Sequence, residues 1–455
     1  MKSLNKGFFF ILLVVGLAGI LIIRSDLLRF NSSLKLEERL PESDFLVRLN
    51  SLQFSKELSP ILFKYNLPVR EFASPDFLLS QAKHHGINIQ SPAYLFFNAA
   101  QDEWGALIQV NDSSKIINAI DRFRKNTQVL DSSDNDARIF HFKELNLIIA
   151  YEKSYLFMYS GTKFMQRLTE VQRAKSGIIR KTWKHFLSKK EYLKEHVVVY
   201  SESPTITGWG FDYALFAHDN DTTDIRLKCY LHTASPHGIA LNKNGLGLPI
   251  SENDSKSIEL HLLPGFKKTP TGQLLIRKLN DLGSKISFPT FPFFEAWDGD
   301  LSFREGGVVN STQRIVTTEF DEDFNAHDVI KYEKIQVPGY TVAFNTNNEG
   351  KNFINSLFAK GLLRSEENKL RFLFSPLLMI NHQLGYYYFT SSSTFPVLIK
   401  QPNNQLSWNY DGTPYTMNFG RISSNSIELF VRFPAKPLIK LMQRKKFKKK
   451  TKPLF

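Results

Sequence analysis

Residues 93–123, AYLFFNAAQDEWGALIQVNDSSKIINAIDRF, give the clearest indication of the fold class of this chain. Two runs in this stretch, 93–97 and 105–110, are rich in aromatic and aliphatic residues, which is typical of β-strands. The polar residues 111–114 then offer a helix N-cap. After them, apolar residues recur at the spacing of one helix face, and these are Ile116, Ile117, Ile120 and Phe123. The stretch predicts strands followed directly by a packed helix, which is typical of an α+β fold.

The residues that follow the helix continue the strand signal. Three short apolar runs are separated by tight turns, and they cover residues 138–142, 147–151 and 155–159. Together with the second opening strand and the helix, they form a β-α-β-β-β unit. We therefore expect antiparallel sheets with packed helices, because consecutive strands joined by tight turns pair in opposite directions.

A similar order of elements begins again in the second half of the chain. A strand-like run at 340–344 precedes a helix face between 353 and 362, and strand-like runs continue to 390. The tetrapeptide Ser-Ile-Glu-Leu also occurs twice, at 257–260 and at 426–429. These internal similarities predict that the body consists of two related halves.

The N-terminus predicts a membrane anchor. Residues 7–23, GFFFILLVVGLAGILII, contain no charge over 17 positions and lie between Lys6 and Arg24. At 1.5 Å per residue this segment covers about 26 Å, which is enough for the hydrocarbon core of a bilayer. We expect one N-terminal transmembrane helix that acts as an uncleaved signal anchor. The alternative is a cleaved export signal, since residues 16–18, Gly-Leu-Ala, offer small side chains for processing.

The composition is that of a globular protein. The chain has 455 residues and a net charge of +14, with 42% hydrophobic and 22% charged residues, which excludes disordered, collagen-like and multi-span membrane classes. The single cysteine, Cys229, excludes an intrachain disulfide. No phosphate-binding loop, dinucleotide fingerprint, zinc-protease motif or serine-hydrolase motif occurs. We therefore predict neither a cofactor nor a metal site.

Basic charge is concentrated in two segments. Residues 436–455 carry a net charge of +9 and residues 167–194 one of +7, so the rest of the chain is close to neutral. We expect these segments to face anionic lipid or an acidic glycan, and nucleic acid is disfavoured because no motif for it accompanies the charge. The alternative is a solvated tail and an ordinary helix with a charged outer face. The candidate contact residues are Arg444, Lys445, Lys446, Lys448, Lys449, Lys450 and Lys452 in the tail and Arg180, Lys181 and Lys184 in the internal segment.

One segment combines aromatic and acidic residues densely enough to suggest a ligand platform. It is FPTFPFFEAWDGDLSF, residues 288–303, and its candidate residues are Trp297, Glu295, Asp298 and Asp300. Paired carboxylates beside aromatic rings are the groups that a glycosidase or a sugar-binding cleft uses. The alternative is a Pro-rich connector whose aromatic rings cap a sheet.

These signals divide the chain into six regions. The predicted regions are a signal anchor at 1–24, a stalk at 25–45, a first α+β unit at 46–200, a central β-rich region at 201–335, a second α+β unit at 336–440 and a basic tail at 441–455.

Several segments resemble uncharacterised membrane-anchored envelope proteins of Bacteroidota type. The segments that carry the resemblance are GINIQSPAYLFFN at 86–98, SSKIINAIDRF at 113–123, YLFMYSGTKF at 155–164 and AWDGDLSF at 296–303. The resemblance spans about residues 45–440, although this chain lacks the lipid-accepting cysteine of many such proteins. It implies a duplicated α+β body and an envelope location, and it implies no chemistry.

We therefore predict a non-enzymatic, membrane-anchored envelope protein with a binding or scaffolding role. Its anchor would lie in the bacterial inner membrane as a single pass, with the body in the periplasm, and another envelope protein is the expected partner besides lipid or glycan. The alternative function is a carbohydrate-active hydrolase that uses carboxylates near Trp297. The two functions differ structurally, because a glycosidase needs two carboxylates facing one cleft about 5–10 Å apart.

Overall fold

The computed structural model describes most of the chain after the N-terminal segment. The described residues are 36–64, 74–124, 129–134, 137–152, 154–173, 189–219, 224–249, 251, 253–366, 369–373, 375–392, 395–400, 404–410 and 413–434. They divide into two compact units. Unit 1 comprises the described residues of Met1–Ile206, Tyr213–Cys229 and Pro434–Phe455, and unit 2 comprises those of Thr207–Asp212 and Tyr230–Phe433.

The sheet of unit 1 is antiparallel. Its strands are β1 Phe45–Leu49, β2 Ala93–Asn98, β3 Glu103–Gln109, β4 Val129–Asp134, β5 Ala137–Phe142, β6 Leu147–Glu152, β7 Tyr155–Ser160, β8 Val197–Ser201, β9 Tyr213–Asp219 and β10 Asp224–His232, of which the last three residues are assigned to unit 2. Strand pairing gives the order β9-β8-β1-β2-β3-β7-β6-β5-β4, and β10 pairs with β9.

Helices cover the sheet of unit 1. They are α1 Ser51–Lys64, α2 Pro75–His85, α3 Ser113–Arg124, α4 Phe164–Gln172, α5 Lys190–Leu193 and α6 Pro204–Thr207, with 3-10 turns at Leu36–Arg39, Ala99–Gln101 and Lys143–Leu145. Helix α2 begins at Ser74, whose side chain accepts a hydrogen bond from the Phe77 amide, and ends at Gly86 with φ 71°. The α3 residues Ile116 and Ile120 are buried in the main core of the unit.

Unit 2 also has an antiparallel sheet. Its strands are β11 Leu246–Gly247, β12 Asp254–His261, β13 Trp297–Phe320, β14 Ala326–Thr346, β15 Leu363–Glu366, β16 Lys369–Phe372, β17 Ser375–Gln383, β18 Tyr386–Thr390, β19 Ile399–Lys400, β20 Gln405–Tyr410, β21 Thr413–Ser423 and β22 Ser426–Pro434. The order is β15-β16-β17-β18-β14-β13-β12-β20-β21-β22, while β11 and β19 form a separate pair.

Three helices pack on the sheet of unit 2. They are α7 Pro270–Gly283, α8 Thr290–Ala296 and α9 Gly350–Ala359, with 3-10 turns at Pro264–Lys268 and Ser284–Ile286. Trp297, Phe344, Phe353 and Leu357 lie in one buried cluster, which places the helices against the middle strands. The ring of Phe293 stacks on Trp297 and meets Phe353 edge to face, and Phe344 also meets Phe353 edge to face, as aromatic pairs prefer.

The two sheets share one strand order. In unit 1 the hairpin β2–β3 leads into α3 and four strands, and the last of these, β7, returns to pair with β3. In unit 2 the hairpin β13–β14 leads into α9 and four strands, and β18 returns to pair with β14. The flanking strands also correspond, because β1 and β8 continue the first sheet where β12 and β20 continue the second. The two Ser-Ile-Glu-Leu segments lie instead on β12 and β22, at different places in this order.

The predicted fold class is confirmed in its main features, because the described residues combine antiparallel sheets with packed helices. Within the described part of the chain, no helix has the length and apolar character needed to cross a bilayer. The transmembrane helix predicted for residues 7–23 lies outside the described residues.

Candidate functional site

Strands β13 and β14 continue beyond the sheet as a long two-stranded arm. We call residues 308–338 the β-arm. Its 13 cross-strand pairs run from Val308 opposite Pro338 to Phe320 opposite Ala326. Neither β12 nor β18 extends into this region, so among the described residues the arm strands pair only with each other. At about 3.4 Å per residue, the β-arm is about 40 Å long.

Glycines at the base of the β-arm let the two strands leave the sheet. The register shifts between Glu305 and Val308, which marks a β-bulge, and Gly307 has φ 65°. Across from the bulge, a Cβ atom on Gly339 would lie 2.4 Å from the carbonyl oxygen of Gly306. A bulge bends and twists a strand, so these residues set the direction in which the arm projects.

The tip of the β-arm is a defined turn. The Asp321 carboxylate accepts hydrogen bonds from the backbone amides of Asp323 at 3.0 Å and Asn325 at 2.8 Å. The bond from Asn325 lowers the pKa of Asp321 below its ordinary value. Phe324 has φ 63° and is 85% exposed. The turn therefore presents an aromatic ring to solvent.

One face of the β-arm carries several exposed apolar side chains with polar pairs between them. Cross-strand partners point to the same face of a ribbon, so Val316 and its partner Ile330 share it. Their exposed fractions are 51% and 46%, and the same face carries Val308 at 66%, Phe320 at 67% and Tyr332 at 51%. On this face the apolar pairs Val316–Ile330 and Phe320–Ala326 are separated by the polar pair Thr318–Asp328. Large apolar side chains that stay in solvent on one face favour an interaction site.

The tip of the β-arm is also strongly acidic. The ten residues 319–328 contain no Lys or Arg, and their acidic residues are Glu319, Asp321, Glu322, Asp323 and Asp328. Lys331 forms an ion pair with Glu319 just below the tip. Carboxylates repel an anionic lipid surface, so the tip favours a basic partner.

The structure separates the four residues of the candidate ligand platform. Trp297 is 2% exposed, and its Nε1 donates a hydrogen bond to the Asp300 carbonyl oxygen at 2.7 Å. Asp300 is buried as well, whereas Glu295 and Asp298 are exposed. The ring of Trp297 thus belongs to the core of unit 2, and the carboxylates of Asp298 and Asp300 lie in different environments.

Asp300 belongs to a buried charge cluster that the sequence analysis did not find. The Nδ1 atom of His261 lies 2.9 Å from Asp300 Oδ1, and its Nε2 atom lies 3.0 Å from Glu259 Oε2. Tyr386 donates its hydroxyl hydrogen to Asp300 Oδ2 at 2.5 Å, and Arg304 donates to Glu259. The exposed fractions of His261, Glu259 and Asp300 are 0%, 1% and 3%.

The cluster keeps His261 protonated. Burial alone lowers the pKa of His261, but the hydrogen bonds to Asp300 and Glu259 outweigh it and raise the pKa to about 9. Burial raises the pKa of Asp300, but the hydrogen bonds from His261 and Tyr386 leave it below its ordinary value. The imidazolium thus donates to a carboxylate on each side. Because these groups are closed off from solvent, the cluster fixes β12 against β13 and offers no access to a substrate.

Unit 1 has a buried ion pair of its own. Glu103 is 1% exposed and accepts hydrogen bonds from Arg167 on α4, from Asn98 and from Tyr159, whose hydroxyl lies 2.6 Å from Oε2. Burial raises the pKa of Glu103, but the hydrogen bonds from Arg167 and Tyr159 lower it by more than burial raises it. The pKa is therefore below its ordinary value. This pair holds α4 on the sheet.

The remaining candidate residues are the basic ones of the two positively charged segments. The basic residues predicted to contact an anionic surface, 180–184 and 444–452, lie outside the described residues. Among the residues that the structure describes, no group of three or more His, Cys, Asp or Glu side chains is arranged to hold a metal ion.

The β-arm itself was missed at the sequence level, although its signal is present. VVNSTQRIVTT, residues 308–318, is rich in β-branched residues and is followed by the acidic turn at 321–325. A run of this kind around a turn favours a long hairpin.

The comparisons with known proteins give no family. No family model matches the chain, and no curated protein matches it. Among solved structures, the chain is similar to TP0453 in crystal form I, with 7% identity, a TM-score of 0.30 and coverage of 45% of this chain and 81% of that one. For crystal form III of TP0453 the values are 10%, 0.31, 44% and 80%. Likeness at these TM-scores does not bear on function, so the resemblance to Bacteroidota-type envelope proteins stays a prediction.

Proposed function

We propose that this chain is a non-enzymatic, membrane-anchored envelope protein with a binding or scaffolding role, and that the β-arm is its binding element. The observation that carries the proposal is the apolar face of the arm, with Val316, Phe320, Ile330 and Tyr332 exposed along it. Isolated two-stranded hairpins are only marginally stable in water. A partner that covers this face would stabilise the arm as well as bind it.

The relation between the two units supports the same role. We propose that they arose by duplication, since they share one strand order. The hairpin β2–β3 of unit 1 closes through the short turn Ala99–Gln101, whereas its counterpart β13–β14 carries the β-arm. An extension present in one of two equivalent hairpins is most simply a functional addition, because a scaffold fold gains function through its loops.

The surroundings of Trp297 do not support the alternative function, a carbohydrate-active hydrolase. The carboxylate of Asp300 is engaged by His261 and Tyr386, and Trp297 is enclosed in the core of unit 2. A retaining or inverting glycosidase needs two carboxylates with access to one sugar ring. We therefore propose no activity at this segment.

A C-terminal alkaline phosphatase fusion tests the location. We expect the full chain fused at Phe455 to show phosphatase activity in a Gram-negative host, because two lysines before residues 7–23 favour a cytoplasmic N-terminus and an exported body. The measurement is enzyme activity normalised to fusion protein on an immunoblot.

The matched control is the same fusion without residues 7–23, which should be at least ten-fold less active. A stable full-length fusion with no more activity than this control would contradict the proposed topology.

A further inference from the structure

We infer that the β-arm of one copy of this chain binds the basic C-terminal segment, residues 436–455, of a second copy. This inference rests on the proposed binding role of the arm, and it names the partner. Three properties of the β-arm support it, namely the outer edges of its strands, with which no other described strand pairs, the charge of its tip and its apolar side chains.

The edges of the β-arm can accept a further strand. Along the 13 pairs of the arm, each strand uses one edge for its neighbour, and within the described residues no other strand pairs with the outer edges. Such edges present rows of backbone N–H and C=O groups, to which an extended segment adds as a new strand. Backbone pairing would supply affinity, and side chains on the exposed face would supply specificity.

Charge selects a basic segment as the occupant. Residues 319–328 carry five carboxylates without a Lys or Arg, whereas residues 436–455 carry a net charge of +9 with no acid. A second β-arm would repel this tip, and so would an anionic membrane. The C-terminal segment is the most basic part of this chain, which makes it the complementary surface that the sequence itself provides.

The C-terminal segment also has apolar residues for the exposed face. Between its cations lie Leu438, Ile439, Leu441, Met442 and Phe447. An extended chain of 20 residues can span about 65 Å, which exceeds the about 40 Å of the arm. The segment is therefore long enough to follow the arm from base to tip.

Contact between an arm and a C-terminal segment is heterologous, because the two surfaces differ. Each copy has one of each, so a contact between copies propagates head to tail and forms a ring or a filament. This geometry would give an anchored envelope protein a scaffolding role.

Sedimentation velocity of the full-length chain in detergent micelles at low salt tests the inference. We expect the wild type to assemble with increasing concentration. The tip-reversed variant, Glu322→Lys with Asp323→Lys, and the tail-reversed variant, Lys448→Glu with Lys449→Glu and Lys450→Glu, should each associate at least ten-fold more weakly. The two tip carboxylates were chosen because the turn is held by the side chain of Asp321 and not by theirs.

Mixing the two variants shows whether the contact joins different copies. The intact tail of the tip-reversed chain can bind the intact tip of the tail-reversed chain, so the mixture should give a 1:1 dimer and no larger species. A contact within one chain would give no dimer and would contradict the inference.

The charge-matched control is Asp281→Lys with Glu295→Lys, which reverses two exposed acids on α7 and α8. It should assemble like the wild type, and an equal loss in this control would overturn the inference because the effect would be one of net charge. A second outcome would also overturn the inference. In it, tip reversal leaves assembly unchanged, and tail reversal abolishes binding to vesicles that contain anionic lipid, which would assign the tail to the membrane. If the phosphatase fusion is active and the wild type is monomeric, the inferred arm–tail contact is wrong and the proposed envelope location is still supported.

Discussion

Replacing His261 with alanine is expected to lower the free energy of unfolding of unit 2 by about 3–5 kcal/mol. The substitution leaves Glu259 and Asp300 buried without the imidazolium that lies 3.0 Å and 2.9 Å from them. A buried carboxylate that loses its charged partner retains the full desolvation penalty. The measurement is denaturant-dependent hydrogen exchange of peptides from β12, which reports unit 2 separately from unit 1.

The pH dependence of the stability of unit 2 shows whether the charge of His261 causes this effect. The pKa of His261 is raised to about 9, above the value of about 6.5 expected in the unfolded chain. The stabilisation of unit 2 by protonated His261 is therefore fully present below pH of about 6.5 and is lost as the pH rises through about 9. The free energy of unfolding falls by on the order of 3 kcal/mol over this range. His327→Ala, an exposed histidine in unit 2, should change stability by less than about 0.5 kcal/mol. If the wild type and His261→Ala lost stability in parallel over this range, the imidazolium would have no such role.

Replacing Arg167 with alanine is expected to have a similar effect on unit 1, with a loss of about 3–5 kcal/mol. Glu103 then remains in the core with only Asn98 and Tyr159 as partners. Its pKa is lowered in the folded protein, so its contribution is present above pH of about 4 and is lost on acidification. Hydrogen exchange of peptides from β3 and α4 measures the effect.

The double variant Arg167→Ala with Glu103→Gln separates a lost ion pair from lost packing. A neutral glutamine can still bond to Asn98 and Tyr159, and it has no charge to desolvate. We expect the double variant to recover at least about 1 kcal/mol relative to Arg167→Ala. A double variant no more stable than the single one would show that Arg167 acts through its packing alone.

Local patterns were sufficient to predict the fold class. Helix α3 followed from the spacing of Ile116 and Ile120, since a helix buries one face at this period. Strand β7 followed from its run of aromatic and aliphatic residues between turns. Both signals lie within a dozen residues, so they need no knowledge of tertiary contacts.

The buried cluster could not be predicted in this way. His261 and Asp300 are 39 positions apart, and their contact depends on the register in which β12 pairs with β13. The density of aromatic residues around Trp297 suggested an exposed platform, whereas the structure encloses that ring between Phe266 and Phe293. Composition indicates that rings cluster, but it does not distinguish a core from a binding surface.

The β-arm was missed for a different reason. Its strands alternate little between apolar and polar residues, because apolar residues such as Val308 and Val309 lie on both faces. Its exposed valine, isoleucine and tyrosine side chains therefore resemble those of an ordinary central strand. The predicted central region at 201–335 ended within the arm, because the sequence alone does not show that the glycines 306 and 307 lie opposite Gly339 at its base.

We propose that an anchored body carries the β-arm on the far side of the membrane, and labelling of Phe324→Cys in spheroplasts measures this topology. Phe324 is 85% exposed at the tip of the arm. The native Cys229 is a built-in control, because it is buried and its burial raises its pKa to about 11, which suppresses the reactive thiolate. We expect a membrane-impermeant maleimide to label the variant, and not the wild type, before lysis. Labelling of the variant only after lysis would contradict the proposed topology.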